Sequence, residues 1–437
     1  MKKVFQNSSI ASFILCVFVL MMSVMFLSET VQGQTSKEKK ENRAIADWEK
    51  QESVWTVWPQ DEESRKILVK CIREIVNEAP VTIVVSSDSL RDYALLDLKK
   101  DSIDFSKIKM LTIPGAKGFV RDHGPWFLFD QKGYASRTAF GWNNFGLPVA
   151  ATRGISKKDS VSMGNFASEV TSKMKVHAIK SDLVIENGII DVNSKGVAIC
   201  FMETILQRNP NMDLPSITSE MKRVLGLKKI IWLGSSPTME KVGPGAKASN
   251  IFGYGANGHI DQFFRFANDS TILVSVHDGV ERRFDPVTSA DFMILEENIK
   301  YLRNSTDEND QPFHIVEIPV PVMRYHMVED SIPNVSVDTI RYKEFEDGTI
   351  IYNAPIATYM NFFVCNNLVL LPEYFKENLT ESEKIKDVQV EKIFTALYPG
   401  KKIIRINPLP LNLKGGGIRR SFIGQPDGIL SLPYPGK

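Results

Sequence analysis

A single α/β domain is the fold class the sequence predicts, on three observations. Helical stretches followed by short β-rich runs recur about five times, no long Pro/Gly/Ser linker divides them, and 43% hydrophobic with 24% charged residues over 437 positions is the balance of a folded globular chain. In "ESRKILVKCIREIVNEA" the apolar side chains return every three or four residues, which predicts a helix, and "VTIVVSS" after it predicts a strand. "KIKMLTI" adds a strand after a mixed segment. "SITSEMKRVLGL" followed by "KKIIWLG" repeats the pair, and "STILVSV", "FHIVEIPV", "NFFVCNNLVLLP" and "KKIIRINPL" continue the β-rich series.

The domain is expected to occupy residues 47–437. Residues 1–33 read as an export signal: Lys2 and Lys3 precede an uncharged run from Ile10 to Leu27, and Val31-Gln32-Gly33 suits cleavage before Gln34. A retained membrane anchor is the alternative, since the run sits at the lower edge of spanning length. Leu15 before Cys16 argues against a lipid-modified cysteine. Residues 34–46, with "SKEKKENR", form a charged tether. The expected location is therefore exported, periplasmic or secreted, with no stable membrane insertion after cleavage.

Removing the signal leaves 51 basic and 51 acidic side chains, so nucleic acid is not an expected partner. Cys71, Cys200 and Cys365 are too few for a disulfide framework, and no CxxC pair supports zinc or redox chemistry. All three read as small core residues.

Three motifs carry polar residues where chemistry is expected. "GFVRDHGPWFLFD" puts Arg121, Asp122 and His123 at the expected end of a strand, before a Gly-Pro turn. "NGHIDQFFRF" puts His259 and Asp261 two apart, on one face if the backbone is extended. "VIENGIIDVNSKG" places Glu186 before Asn-Gly. Each has a plain structural alternative, a surface salt bridge, a local hydrogen bond and a turn respectively. Near the C-terminus, "LKGGGIRRSF" frees the backbone with three glycines and then presents two arginines and a serine.

The order of motifs carries more than any one. "DWEKQESVWTVWP", "VRDHGPW", "FGWNN", "IENGIIDV", "KKIIWL", "GHIDQF", "ATYMNFFV", "LYPGKKII" and a late "GGG" resemble, from about Asp47 to Pro426, the agmatine deiminase and bacterial peptidylarginine deiminase family. The resemblance implies a pentein fold, five ββαβ units around a pseudo-fivefold axis with the active site in the central channel. It also implies a reaction in which a cysteine attacks a guanidinium carbon, ammonia departs and a ureido product is released, without metal or organic cofactor.

Carried over by motif, Asp122 and Asp261 would clasp the guanidinium, His259 would move protons, Glu186 would support, and Asn361 in "TYMNFF" would position substrate. The implied partner is agmatine or an arginine side chain. The chemistry is consistent: a guanidinium is planar, permanently charged and presents five donors, so paired carboxylates suit it. A histidine near its ordinary pKa of about 6.5 can donate to departing ammonia.

Ser421 stands where the family pattern places the cysteine. A hydroxyl needs a base to attack and is a poor substitute for a thiolate. Arg419 and Arg420 would bring positive charge to a site meant for a cation, unless both point outward or one bonds an aspartate of the clasp. Three functions follow: a guanidinium-recognising relative with weak or lost turnover, an active deiminase using Ser421 or another group, and an envelope interaction protein that keeps only the fold. Retention of Asp122, Glu186, His259 and Asp261 without the cysteine favours the first.

Overall fold

One order of elements recurs: two antiparallel strands, a helix, then a strand that joins the pair in parallel. The computed structural model describes residues 42–427 except 131–134, 139, 148–155, 175–177, 242–249, 254, 328–348 and 378. The signal segment and residues 34–41 of the tether lie outside the described residues. No helix among the described residues is long and apolar enough to cross a membrane.

In the first unit Gln51–Val57 pairs in parallel with Val81–Val85 across the helix Glu62–Ile75, and Ile108–Thr112 extends the sheet beyond the helix Asp88–Lys100. Its antiparallel partner comes from the far end of the chain, Ile423–Pro426. The second unit pairs Trp126–Phe129 with Ala135–Thr138 and adds Ala178–Ile179 after the helix Lys157–Met174. In the third, Ile190–Val192 and Val197–Phe201 are joined by Lys229–Leu233 after the helices Met202–Arg208 and Leu214–Leu225. The fourth uses Phe264–Asn268, Thr271–Val276, the helix Pro286–Arg303 and His314–Pro319. The fifth uses Phe363–Cys365, Leu368–Pro372, the helix Glu381–Leu397 and Lys402–Ile406.

Local chemistry explains these elements. Asp61 caps the helix Glu62–Ile75 by accepting from the Ser64 amide at 2.9 Å, and Glu62 and Glu63 suit the positive end of the helix dipole. Its apolar face, Ile67, Leu68, Cys71, Ile72 and Ile75, buries against Val81, Ile83 and Val85. "NFFVCNNLVLLP" is a hairpin rather than one run, because Asn366 adopts a left-handed φ of 50° that asparagine tolerates. The three cysteines are buried as expected, and burial pushes each thiol up, Cys365 to about 12.

Two strand expectations are corrected. Arg121, Asp122 and His123 lie on a four-residue helical turn, Val120–His123, closed by the Gly124 amide on the Val120 carbonyl at 2.7 Å; the strand starts only after Pro125. His259 precedes a 3-10 turn, Ile260–Gln262, and neither it nor Asp261 is on a strand. Asn257 and Gly258 both take positive φ, 62° and 106°, which interrupts extended backbone before the turn.

These turns are what the fold contributes to the site. Each unit's first antiparallel strand, or in the first unit its C-terminal partner, is entered by a short segment bearing a candidate residue: Asp122, Glu186, Asp261, Asn361 and Ser421. The segments are tied to one another in sequence. Asn187 donates its amide to the Arg121 carbonyl at 3.2 Å, Ile260 to Gly188 at 2.9 Å, and Arg419 to Asn361 at 3.1 Å. Thr358 Oγ1 donates to the Gln262 carbonyl at 2.7 Å, and Arg121 Nε to the Arg419 carbonyl at 2.9 Å. The five links return to the segment they started from.

Candidate active site

The glycine run delivers the last turn into the middle of the others. Gly415 takes a φ of 79°, a Cβ on Gly416 would overlap the Phe119 ring, and one on Gly417 would overlap the Asn361 side chain. The 3-10 turn Arg419–Ser421 follows, with all three residues buried. Asn361 holds it in place: its carbonyl accepts the Arg419 amide at 3.1 Å and its Oδ1 the Arg420 amide at 3.3 Å.

Both arginines point inward. The Arg420 guanidinium forms a two-point pair with Asp122, Nε to Oδ1 at 3.0 Å and Nη2 to Oδ2, over the Phe119 ring at 5.2 Å. Arg419 reaches three carboxylates, Asp261 at 2.6 Å, Asp47 at 2.7 Å and Asp191 at 3.1 Å. Arg265 crosses the same knot, at 2.8 Å from Asp47 and 3.1 Å from Asp191. Glu186 is held by both oxygens on Arg208 Nε, at 2.9 and 3.1 Å. The chain's own guanidiniums therefore occupy both aspartates of the expected clasp.

Burial pushes Asp122 up to about 6 against the pull of Arg420, and Arg420 itself is held above its ordinary value by Asp122 although burial opposes this. Both are charged at neutral pH. His259 behaves differently: burial, then Arg420, Arg208, Arg419 and Arg121, hold it well below the ordinary histidine value. The expectation of a histidine near 6.5 is thus corrected; burial, reinforced by four guanidiniums, keeps it neutral. Its Nδ1 is 3.8 Å from Asp261 Oδ1 and its Nε2 3.8 Å from Glu186 Oε2, too far for hydrogen bonds, and neither nitrogen has a partner among the described residues.

The structure brings Asp122, Glu186, His259, Asp261, Asn361 and Ser421 to one locality: Arg419 and Arg420 join Asp261, Asn361 and Asp122, and His259 lies between Asp261 and Glu186. Asn361 bonds the backbone of the arginine turn. Ser421 Oγ donates to the Gly417 carbonyl at 2.9 Å, and its own carbonyl accepts from Thr56 Oγ1 at 2.8 Å. That hydroxyl is tied to backbone, with no base on it among the described residues.

Five charged residues here escaped motif reasoning: Asp47, Asp191, Arg208, Glu240 and Arg265. Arg265 in "FFRFA" and Asp191 in "IIDV" did carry a signal, a lone charge within an apolar run, which folding tolerates only with a buried partner. Glu240 is fully buried; its Oε1 accepts the amides of Ala256 at 2.7 Å and His259 at 3.1 Å, while Oε2 has no partner among the described residues.

Burial pushes Glu240 up to about 8. Between its ordinary value of 4.5 and about 8 the folded state holds a proton that the unfolded state releases, so stability falls as pH rises through this window. Glu240→Gln, which keeps the acceptor, is expected to match the parent near pH 5 and exceed it at pH 8 by on the order of 4 kcal/mol. Thermal unfolding of both proteins across that range checks this; parallel profiles refute it.

Residues 43–426 match the family described as Porphyromonas-type peptidyl-arginine deiminase. The chain is 22% identical over 387 residues to the agmatine deiminase of Pseudomonas aeruginosa strain LESB58, covering 86% of this chain and 93% of that one. Among solved structures, the agmatine deiminase of Enterococcus faecalis superposes with a TM-score of 0.69 at 21% identity over 89% of this chain and 96% of that one. That of Campylobacter jejuni gives 0.66 at 20% over 89% and 97%. At such identities the superpositions speak for the fold.

Proposed function

The chain belongs to the Porphyromonas-type peptidyl-arginine deiminase family, and from that premise we propose that it is a non-catalytic member whose guanidinium clasp is filled in cis. The observation that carries this is the two-point pair between Arg420 and Asp122. Guanidine hydrolysis in this family needs a substrate guanidinium between acidic side chains, a proton carrier and a nucleophile. Here Arg420 and Arg419 take the places of the substrate, His259 is held neutral, and the Ser421 hydroxyl is engaged with the Gly417 carbonyl. What the site recognises is its own arginine, which locks the C-terminal turn to the segments of the other units. The five-link ring of hydrogen bonds supports a pseudo-fivefold propeller as the frame.

The discriminating assay incubates purified protein with agmatine and with an arginine-containing peptide and follows ammonia and ureido product. No turnover above the buffer rate is expected with either. Sustained turnover abolished by Ser421→Ala would overturn the proposal and make the chain an enzyme with a serine nucleophile.

A further inference from the structure

Within "FGWNNFG" the backbone does something it does nowhere else among the described residues. Asn144, Phe145 and Gly146 run consecutively at φ of 58°, 58° and 70°. In this left-handed region the Cβ of an L-residue crowds the following carbonyl, so asparagine and glycine visit it singly and other residues rarely. Every other positive φ among the described residues falls on Gly, Asn, Asp or Ser, which leaves Phe145 as the one large side chain held there. Such strain persists only where the surroundings impose it, and it gathers at sites that bind or move.

What imposes it here is local. Asn143 Oδ1 accepts the Gly146 amide at 3.0 Å, and its Nδ2 donates to the Arg208 carbonyl at 2.8 Å. Asn257 Nδ2 donates to the Phe145 carbonyl at 2.9 Å and, also at 2.9 Å, to Gln207 Oε1. Gly146 approaches the same helix end so closely that a Cβ there would lie 3.1 Å from Gln207 Cγ. Two side-chain amides therefore tie the turn to what lies beneath it. The Asn144 side chain, although buried, adds no hydrogen bond among the described residues.

Beneath it is the centre of the site. The Phe145 ring is half-buried, edge-on to Trp142 at 4.7 Å between centroids and 6.0 Å from the ring of His259, which is fully buried. The Arg208 guanidinium, paired with Glu186, sits 6.0 Å from the same phenyl ring. A half-exposed ring beside a histidine of zero exposure stands between that histidine and solvent.

We propose that Asn143–Gly146 is a lid: closed, as here, Phe145 seals His259 and the Arg208–Glu186 pair from solvent; open, the backbone leaves the left-handed region and small solutes reach the site. Closure sets a disfavoured backbone against two tethering side chains and the edge contacts of one ring, opposing contributions of like size. That near balance makes the turn a lid rather than a wall. The inference concerns access and is independent of whether the clasp turns over substrate.

The test labels the full chain with diethyl pyrocarbonate at neutral pH and follows carbethoxylation of each histidine by mass spectrometry. Iodoacetamide labelling of Cys71, Cys200 and Cys365, all buried in the core, reports global unfolding in parallel. Neutral imidazole is the reactive form, so His259 reacts whenever the reagent reaches it. His259 is expected to label while the thiols stay unmodified. Asn257→Gly, which removes one tether and tolerates the φ of 62° at that position, is expected to speed His259 about fivefold, the effect of losing one hydrogen bond. Phe145→Gly, which removes the ring and tolerates the left-handed backbone, should speed it further; should that variant fail to fold, Asn257→Gly carries the test alone. The proposal is overturned if His259 labels only in step with the thiols, in the parent or in a variant, or if Asn257→Gly leaves its rate unchanged.

Discussion

Arg420→Ala is expected to destabilise the fold by about 3–5 kcal/mol, and ethylguanidinium is expected to restore most of the loss. Truncation at Cβ leaves Asp122, at 3% side-chain exposure, without its two-point partner, so that it must either stay charged and unpaired or take up a proton, and removal of one member of a buried pair costs about that much. Ethylguanidinium supplies the atoms removed and no others. It can rebuild both contacts to Asp122 and the stacking on Phe119. Ethylammonium, a point charge without the planar fork, should restore little. Thermal unfolding of parent and variant with each cation reads this out. A loss under about 1 kcal/mol, or equal rescue by both cations, would mean that Asp122 does not depend on a guanidinium.

The contrast between what could and could not be seen in the sequence follows from the range of the interactions. Asp122, Glu186 and Asp261 were visible as polar residues in three local motifs, their roles and that of Asn361 only through the resemblance to the family; that all four lie in short segments entering a strand is what the structure adds. The misplaced strands at "VRDH" and "GHID" share one cause. Residues compatible with an extended face were overruled by neighbours that fix the backbone: Pro125 with the Gly124 closure in one case, and the positive φ of Asn257 and Gly258 in the other.

The arginine pair was visible as residues, and bonding to the clasp was one of the geometries open to it. Which carboxylate each arginine would take was not visible. Arg419 finds Asp261 at 158 positions and Arg420 finds Asp122 at 298, separations that no periodicity encodes. His259 shows the same limit from another side. Its identity suggested a proton carrier, but its charge is set by burial first and then by four guanidiniums, all of which meet it only after folding.

Those guanidiniums also decide what a restored nucleophile could do. Ser421→Cys alone is expected to give no detectable ammonia from agmatine. Restoring a lost nucleophile can recover as much as about 10⁶ in rate only where the remaining groups act with it as a unit. Here a new thiol would face a clasp already holding Arg420 and a histidine unable to take a proton at neutral pH. Removing the occupant changes both conditions at once. Arg420→Ala in the Ser421→Cys background vacates Asp122 and takes away the cation that, after burial, does most to depress His259. The double variant should release ammonia from agmatine at least about tenfold faster than Ser421→Cys alone, the ratio produced by about 1.4 kcal/mol of barrier. The order of the effects is what matters: Arg420 must leave before the thiol can matter. Were Ser421→Cys active by itself, with Arg420 in place, the arginine would not be a plug but a residue that moves aside for substrate, and the clasp would have to be regarded as open.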